Sequence, residues 1–584
     1  MVKTLSRYIG KYKKDSILAP IFTALEVFME ILIPFVMASI IDEGIQAENM
    51  KAVIFYGVIT LILAFLGLFF GVEAGKYAAS ASSGFAYNLR DGMYTNIQTF
   101  SFSNIDKYST AGLVTRMTTD VTNIQNAYQM ILRVAVRAPL MLIISMIMCF
   151  FINVKLSLVF LVALVVLAAV LFFVIHKASP VFREVFDRYD DLNASVQENV
   201  SAIRTVKAYN REDYEKKKYS KAADVVYRLF VKAEGTMAVN NPIMMLVIYG
   251  CIIAISWFGA HFIAGGTMTT GNLTSLFSYV MMTMMSLMML SMVFVMITMS
   301  AASGRRIAEV LDEETSMKNP EEPREIVEDG SVDFDHVNFS YSHGSGEQVL
   351  TDIDLHIRSG ETIGITGGTG SGKTSFVNLV SRLYDVDSGS VKVGGTDVRD
   401  YDMEALRKNV AVVLQKNVLF SGTILDNLRW GNKDATEEEC IEACRLACAD
   451  EFIEKLPDKY NTWIEQGGTN VSGGQRQRLC IARAILQKPK VLVLDDSTSA
   501  VDTATNARIN KAFAQKLPGT TKLIVSQRIS GIQDADRILV LDDGKISGFD
   551  THENLLKTND IYKEIYTIQQ EGGGDFDESG KEEQ

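Results

Sequence analysis

The sequence predicts a polytopic α-helical membrane domain of six spans, followed by a soluble α/β domain. Three observations support this prediction. Long apolar runs are confined almost entirely to the first 300 of the 584 residues. A charged, proline-containing stretch, LDEETSMKNPEEPREIVEDG, separates this half from the rest. The second half has the composition of an ordinary soluble protein and contains a glycine-rich turn between an apolar strand and a helix. Because the two halves differ in this way, the chain holds more than one domain.

The first half contains apolar runs long enough to cross a bilayer, which takes about 20 residues in a helix. The six predicted spans are 16–41, 53–75, 129–152, 155–176, 238–264 and 272–300. The start, MVKTLSRYIGKYKK, is basic and amphipathic and lacks a small-residue cleavage site. Residues 1–15 are therefore predicted to form a cytoplasmic elbow helix rather than a cleaved signal peptide.

The connections between spans differ in length and charge. Residues 76–128 and 177–237 form long, polar connections rich in Lys and Arg, whereas the other connections are short. Positive charge marks the cytoplasmic side, so the long connections and both chain termini are expected there, in a multi-pass protein of the cytoplasmic membrane. Structureless loops of this length are uncommon, so we expect helices that continue past the bilayer, with turns near NIDKYSTAG and SAIRTVKAYNRED.

Two acids lie inside the first predicted span. Glu26 and Glu30 are four residues apart and so share one helix face. An ionised side chain in a bilayer is costly unless it is paired or hydrated. One hypothesis places both in a water-filled substrate cavity that accepts cations. The alternative is pairing with the third span, where Arg133 and Arg137 have the matching spacing.

The composition excludes some functions and sets the domain limits. A net charge of −12 argues against a nucleic-acid partner, which would require a basic surface. The predicted membrane domain is 16–301, the linker 302–330 and the soluble domain 331–570. Residues 571–584 are acidic and glycine-rich, and are expected to be a disordered tail.

The six cysteines do not suggest a disulfide framework. Cys440, Cys444 and Cys448 fall four residues apart, which places them in one stripe of a helix. There is no histidine nearby and no CxxC pair, so a packed helix face is favoured over a zinc site.

A phosphate-binding motif opens the soluble domain. In ETIGITGGTGSGKTSFVNLV, Gly367-x4-Gly372-Lys373-Thr374 follows an apolar strand and begins a helix, as a P-loop does. Backbone N–H groups cradle phosphate, the lysine reaches the terminal phosphates, and the Thr374 hydroxyl binds Mg²⁺. The sequence therefore predicts ATP and Mg²⁺ as ligands. The predicted phosphate-binding residues are Gly367, Gly368, Thr369, Gly370, Ser371, Gly372, Lys373, Thr374 and Ser375.

A second acidic pair follows an apolar strand. In VLVLDDSTSAVD, four apolar residues run directly into Asp495 and Asp496. An acid at the carboxyl end of such a strand binds the magnesium ion of P-loop enzymes, which assigns this role to Asp495.

The motif VSGGQRQR, at 471–478, resembles the signature LSGGQ of ATP-binding cassette exporters in which six spans and one cassette share a polypeptide. The resemblance covers residues 1 to about 570. It implies that Tyr341 in FSY stacks on adenine, and that Gln415 in VVLQKNVLFSGT contacts Mg²⁺. Asp502, at the end of SAVD, would lie in a loop that crosses a cassette dimer.

The same resemblance implies that two cassettes pair head to tail, each ATP lying between one P-loop and the other chain's signature. The two long cytoplasmic connections would then contact the cassettes as coupling helices. The signature residues that would serve the partner's ATP are Ser472, Gly473, Gly474 and Gln475.

Two residues depart from the family pattern. Asp496 stands where the family has a catalytic Glu, and Gln527, in LIVSQRIS, stands where it has His. Asp is one methylene shorter than Glu, and Gln cannot become cationic. Loss of a positioned general base typically costs roughly 10²–10⁴ in rate. The chain thus resembles the degenerate-site subunit of bacterial heterodimeric multidrug exporters, although neutral change in a slow homodimer is an alternative.

The expected function is ATP-driven efflux of hydrophobic or amphipathic substrates across the cytoplasmic membrane. The chain would be an ATPase subunit paired with a second half-transporter, with hydrolysis mainly at the partner's site. The protein is expected to contact the lipid bilayer and to bind a small hydrophobic or cationic substrate. The alternatives are a regulatory or ATP-gated membrane protein of the same fold, and a homodimeric lipid flippase.

Overall fold

The computed structural model describes residues 1–341 and 346–573, which divide into two compact units. The first unit is Met1–Gln98 with Thr110–Glu313, and the second is Thr99–Ser109 with the chain from Glu314 onward. Of the tail predicted for 571–584, residues 574–584 lie outside the described residues. Residues 571–573 form the end of a helix.

The first unit is entirely helical. The helices up to residue 312, numbered in chain order, are α1 Val2–Arg7, α2 Lys13–Ser39, α3 Met50–Gln98, α4 Phe102–Lys107, α5 Thr110–Thr115, α6 Val121–Ile152, α7 Val154–Ser201, α8 Ile203–Ala208, α9 Glu212–Ala238, α10 Asn240–Ala264 and α11 Thr270–Asp312. Only α4 among them belongs to the second unit. Among the described residues, six helical stretches are long and apolar enough to cross a membrane. The predicted six-span domain is thereby confirmed.

Two of these helices are far longer than a span requires. Helices α3 and α7 contain 49 and 48 residues, against about 20 for a membrane crossing. Both run on through the polar segments, as predicted, and short helices α4 and α8 follow them. The segment 302–312 is a correction: it was assigned to the linker but continues α11 to Asp312, because Ile307, Ala308 and Val310 are buried along it.

The second unit is an α/β domain. Its strands are β1 Val332–Phe339, β2 Leu350–Ile357, β3 Thr362–Gly367, β4 Ser388–Val393, β5 Thr396–Asp397, β6 Val410–Val413, β7 Gly422–Thr423, β8 Trp463–Ile464, β9 Val491–Asp495, β10 Thr521–Val525, β11 Arg537–Asp542 and β12 Lys545–Asp550. Its remaining helices are α12 Lys373–Val380, α13 Met403–Asn409, α14 Ile424–Leu428, α15 Glu437–Leu446, α16 Asp450–Ile453, α17 Gly473–Leu486, α18 Thr503–Lys516, α19 His552–Thr558 and α20 Asp560–Gly573.

The main sheet positions the site. It has the order β12-β11-β3-β10-β9-β6, and all neighbouring pairs are parallel except β11 with β12. A second sheet, β2-β1-β4-β5, is antiparallel. Strands β3, β9 and β10 are adjacent and parallel, so the residues that follow them meet at one edge, where open α/β sheets bind ligands.

The cysteine stripe is a packed helix face, as predicted. Cys440 and Cys444 lie on α15 and Cys448 follows its end, and all three belong to the apolar core. Burial raises the pKa of each thiol. Across the described ranges, no cluster of three or more His, Cys, Asp or Glu residues is arranged to hold a metal ion.

Candidate functional site

The P-loop joins β3 to α12 through three glycines in the left-handed region. Their φ values are +147° at Gly367, +84° at Gly370 and +93° at Gly372. A Cβ at Gly367 would lie 2.1 Å from the Leu541 carbonyl oxygen. At Gly372 it would lie 2.7 Å from Leu350 Cδ2. Other residues would strain or block the loop at these positions.

Lys373 lies folded against this loop. Its Nζ donates to the carbonyl oxygens of Gly367 and Gly368, at 2.9 and 2.6 Å, and to Ser371 Oγ at 3.3 Å. Burial lowers the pKa of Lys373, and the nearby Asp495 and Asp496 oppose that shift. The structure thus brings the cation to the cradle that the motif predicted. Thr369 is exposed at the tip of the same loop.

Thr374 and Asp495 come together as the magnesium prediction requires. Thr374 Oγ1 donates to Asp495 Oδ1 at 3.2 Å. Asp495 is only 2% exposed, and its Oδ2 is buried with no hydrogen-bond partner among the described residues. Burial raises the pKa of Asp495, and the Thr374 bond opposes this. A buried carboxylate oxygen without a donor beside a threonine hydroxyl fits Mg²⁺, which prefers hard oxygen ligands.

Asp496 directly follows β9 and has φ +49°, a left-handed backbone that Asp adopts more readily than most residues. Its N–H donates to the Val525 carbonyl oxygen at 3.1 Å, which fixes its backbone. Burial raises the pKa of Asp496, while the Arg528 charge and the nearby Gln415 side chain oppose this.

Gln527 follows β10 and shares a recess with Asp496. The recess has a volume of about 170 Å³, and Arg528 also lines it. The Gln527 side chain is exposed and makes no hydrogen bond within the described residues. The two residues that depart from the family pattern therefore face one cavity.

Tyr341 lies beside the start of α12. Its hydroxyl is 2.8 Å from Ser375 Oγ, and its ring meets Phe339 and Tyr384 edge-on. Tyr341 is 46% exposed, which fits the predicted stacking against a planar base.

The signature forms the start of α17. Ser472 is the N-cap: its Oγ accepts from the Gln475 N–H at 3.3 Å, and Gln475 Oε1 accepts from the Ser472 N–H at 2.9 Å. This reciprocal capping box fixes the helix N-terminus, whose dipole favours an anion. A Cβ at Gly474 would lie 2.7 Å from the Ala500 carbonyl oxygen, so that position requires glycine. At Gly473 the nearest contact would be an ordinary 3.5 Å.

The sequence reasoning missed Gln477. This buried side chain donates to Ser499 Oγ at 3.2 Å and accepts from the Ala500 N–H at 3.0 Å. It therefore joins the signature helix to the loop that ends at Asp502. The second Gln of GGQRQR was the available signal, since it lies on the helix one turn beyond Gly473. Asp502 itself caps α18, because its Oδ1 accepts from the Thr505 N–H at 2.9 Å.

Helix α4, in the first long connection, belongs to the cassette unit. The Tyr384 hydroxyl donates to Asp106 Oδ2 at 2.6 Å, and its ring lies 6.0 Å from that of Phe102. Asn104 Nδ2 donates to the Glu314 carbonyl oxygen at 3.1 Å. Tyr384 was not singled out from the sequence, because its partner lies 278 residues away.

The sequence left a cation cavity and pairing open for Glu26 and Glu30, and the structure gives both acids a cationic partner. Both carboxylates pair with the Arg137 guanidinium, Glu30 at 2.5 Å. Together with Arg133 and Lys76 they line a recess of about 620 Å³. Pairing with the third span is therefore observed, through Arg137, and both carboxylates also line the recess.

These features define an ATP-binding half-transporter: a six-span membrane unit joined to a P-loop cassette with its own signature helix. Comparison with known families agrees. Residues 16–288 match the ABC transporter transmembrane region, and residues 350–499 match the ABC transporter cassette. The chain belongs to the ABC transporter family, and its cassette is that of a transporter ATPase.

Relatives match along their whole length. The chain is 36% identical to the uncharacterized ABC transporter ATP-binding protein YfiB of Bacillus subtilis (strain 168), covering 97% of this chain and 98% of that one. It is 34% identical to the uncharacterized ABC transporter ATP-binding protein Rv1273c of Mycobacterium tuberculosis, with the same coverage. A solved bacterial Atm1-family ABC exporter with ATP bound has the same fold, with a TM-score of 0.81 and 22% sequence identity. The match covers 95% of this chain and 99% of that one.

Proposed function

We propose that this chain is one half of a heterodimeric exporter of hydrophobic or amphipathic compounds in the cytoplasmic membrane, with both termini cytoplasmic. Its own P-loop binds Mg-ATP but hydrolyses it poorly, and its signature completes the working site on the partner. The observation that carries this proposal is that Asp496 and Gln527 face the same recess.

The reach and the surroundings of Asp496 make this site a poor one for hydrolysis. The backbone of Asp496 is held by Val525, so it cannot advance to replace the missing methylene, about 1.5 Å of reach. The Arg528 charge and the Gln415 side chain lie close enough to its carboxylate to oppose the rise in its pKa that burial causes. A general base must reach the proton that it removes, so this acid orients an attacking water poorly.

The binding half of the site is complete. Lys373 and the P-loop N–H groups hold phosphate, and Tyr341 presents a ring face to the adenine. Thr374 and Asp495 would hold Mg²⁺, which neutralises phosphate charge when bound. These residues keep the nucleotide in place, and an ATP that is held but seldom cleaved stabilises the closed cassette pair. A ligand shifts such an equilibrium only through its different affinities for the two states.

The signature is intact and accessible. Ser472 and Gly473 are exposed at the N-terminus of α17, where unpaired N–H groups and the helix dipole attract phosphate. Because Gly474 has no Cβ, this end of the helix can approach the Ala500 backbone, in the loop before Asp502, closely. These residues would serve ATP on the partner's P-loop. The proposed cargo is hydrophobic or amphipathic without a preference for cations, because Arg137 already pairs with Glu26 and Glu30.

The experiment compares the purified chain alone with the chain co-purified with its partner, in lipid nanodiscs. The proposal predicts slow turnover alone and at least tenfold faster turnover in the pair. Turnover of the chain alone near the median enzyme value of about 10 s⁻¹ would instead support a homodimer. Substrate-stimulated hydrolysis with accumulation in inverted vesicles separates an exporter from a regulatory or ATP-gated protein.

Lys373→Ala tests whether this chain's site mainly binds ATP while the partner's site hydrolyses it. The ammonium makes charge-assisted contacts with phosphate, so its loss should weaken ATP binding at this chain's site by about 10- to 100-fold. Turnover of the pair should nevertheless persist, because the partner's P-loop carries the flux. Nucleotide binding and steady-state ATPase are measured on the same preparation. Lys408→Ala, an exposed surface lysine paired with Glu404, is the control. Complete loss of turnover at saturating ATP would contradict the proposal.

A further inference from the structure

The main chain of the switch loop, residues 526–529, is held by two side chains. Ser526 Oγ donates to the Arg528 carbonyl oxygen at 2.9 Å and accepts from the Arg528 N–H at 3.0 Å. Gln569 Nε2 donates to the Gln527 carbonyl oxygen at 2.7 Å. Gln569 Oε1 accepts from the Ile529 N–H at 2.9 Å. The two side chains together pair backbone groups of three successive residues.

Gln569 reaches this loop from α20 because the helix is anchored in the core. Tyr562 is fully buried, and its hydroxyl is 2.7 Å from His552 Nδ1. Tyr566 packs against the same core one turn later. Gln569 is seven residues after Tyr562 and three after Tyr566, so all three share one helix face. The core contacts therefore direct this amide at the switch loop.

The chemistry requires an amide at this position. One carboxamide supplies a donor and an acceptor together, and here each pairs with a backbone group of opposite character. The Gln527 side chain, by contrast, makes no hydrogen bond within the described part of the chain. The loop backbone is thus fixed while the Gln527 side chain is left facing the recess beside Asp496.

We infer that Gln569 is a positioning residue of the nucleotide site: it holds the switch-loop backbone so that the Gln527 side chain points at the nucleotide. The inference rests on the proposed function only in assuming that this chain's P-loop binds ATP. The position of α20 would then affect the nucleotide site, because any displacement of this helix breaks the hydrogen bonds from Gln569 to the backbone of Gln527 and Ile529.

The test measures ATP dissociation from the full-length chain with its partner, with radiolabelled Mg-ATP as the probe. Gln569→Met removes the donor and the acceptor at similar size, and Gln569→Glu removes only the donor. Loss of the two bonds should speed ATP loss about three- to tenfold, and Gln569→Glu should lie between this variant and the parent. Gln570→Met is the matched control, because Gln570 is exposed and forms no hydrogen bond among the described residues.

A double-mutant cycle with Gln527→Ala separates positioning from simple support of the fold. If Gln569 acts through Gln527, then Gln569→Met should have no further effect in the Gln527→Ala background. An equal effect in both backgrounds, or no effect in the parent, would overturn the inference. A parent chain that binds no ATP at its own P-loop would instead overturn the proposed function, and the inference with it. Thermal unfolding midpoints identify any variant whose fold is lost, and Gln569→Glu then supplies the cycle.

Discussion

Gly474→Ala should abolish ATP turnover by the assembled pair while leaving ATP bound at this chain's own P-loop. The added Cβ would lie 2.7 Å from the Ala500 carbonyl oxygen, a backbone atom that cannot rotate away. Either α17 or the loop before Asp502 must then move, and the N–H donors at the signature are displaced from the phosphate of the partner's ATP. Loss of one preorganised donor typically costs about 2.7–4 kcal/mol of transition-state stabilisation, which is 10²–10³ in rate.

The controls for Gly474→Ala separate a lost signature from a lost fold. Gly519→Ala adds the same methyl group in the same domain where no atom lies within 4 Å, so it should be silent. Ser472→Ala removes the helix cap without adding bulk, at a cost of about 1 kcal/mol in stability, and it should also slow turnover. ATP binding at the chain's own P-loop reports whether each variant is folded. Normal turnover by a folded Gly474→Ala pair would contradict the role given to the signature.

Arg137→Met should sharply reduce the yield and stability of the folded protein. Arg137 is the cation that pairs with both Glu26 and Glu30. Its loss would leave two carboxylates inside a membrane-spanning unit, where unpaired charge is costly. Removing one partner of a fully buried ion pair typically lowers the free energy of unfolding by about 3–5 kcal/mol, and this partly exposed group should lose less than that. Detergent-solubilised yield and the thermal unfolding midpoint measure the effect.

The matched control is Arg133→Met, one turn earlier on α6. Arg133 lines the same recess but makes no ion pair among the residues that the structure describes, so its loss should change stability little. Adding Glu26→Gln and Glu30→Gln to Arg137→Met should restore the yield, because the uncompensated charge is then removed. Equal stability of the two arginine variants would mean that the carboxylates do not depend on Arg137.

Features that a short stretch of chain determines could be predicted from the sequence. The P-loop lies between a strand and a helix that its own letters specify, and Asp495 ends a strand of continuous apolar residues. The six spans and the cysteine stripe are likewise local patterns of length and spacing. In each case the residues that define the feature are neighbours in the sequence.

Features that depend on distant contacts could not be predicted. The partner of Glu26 is 111 residues away, so the sequence left pairing and a cation cavity equally open. The contacts of Gln477 with Ser499 and of Gln569 with Gln527 span 22 and 42 residues. Nothing near either glutamine marks its partner, because the sheet and the core bring the two segments together.

The asymmetry between the two sites is the central claim, and steady-state ATPase of the purified pair tests it most directly. Asp496→Asn is compared with the same change at the catalytic acid of the partner. In the proposed arrangement Asp496 does not reach the attacking water, so its substitution should lower turnover less than about twofold. Loss of the partner's base should cost the roughly 10²–10⁴ expected for general-base catalysis. Equal loss of turnover in the two variants would mean that Asp496 is a working base, and would contradict the account.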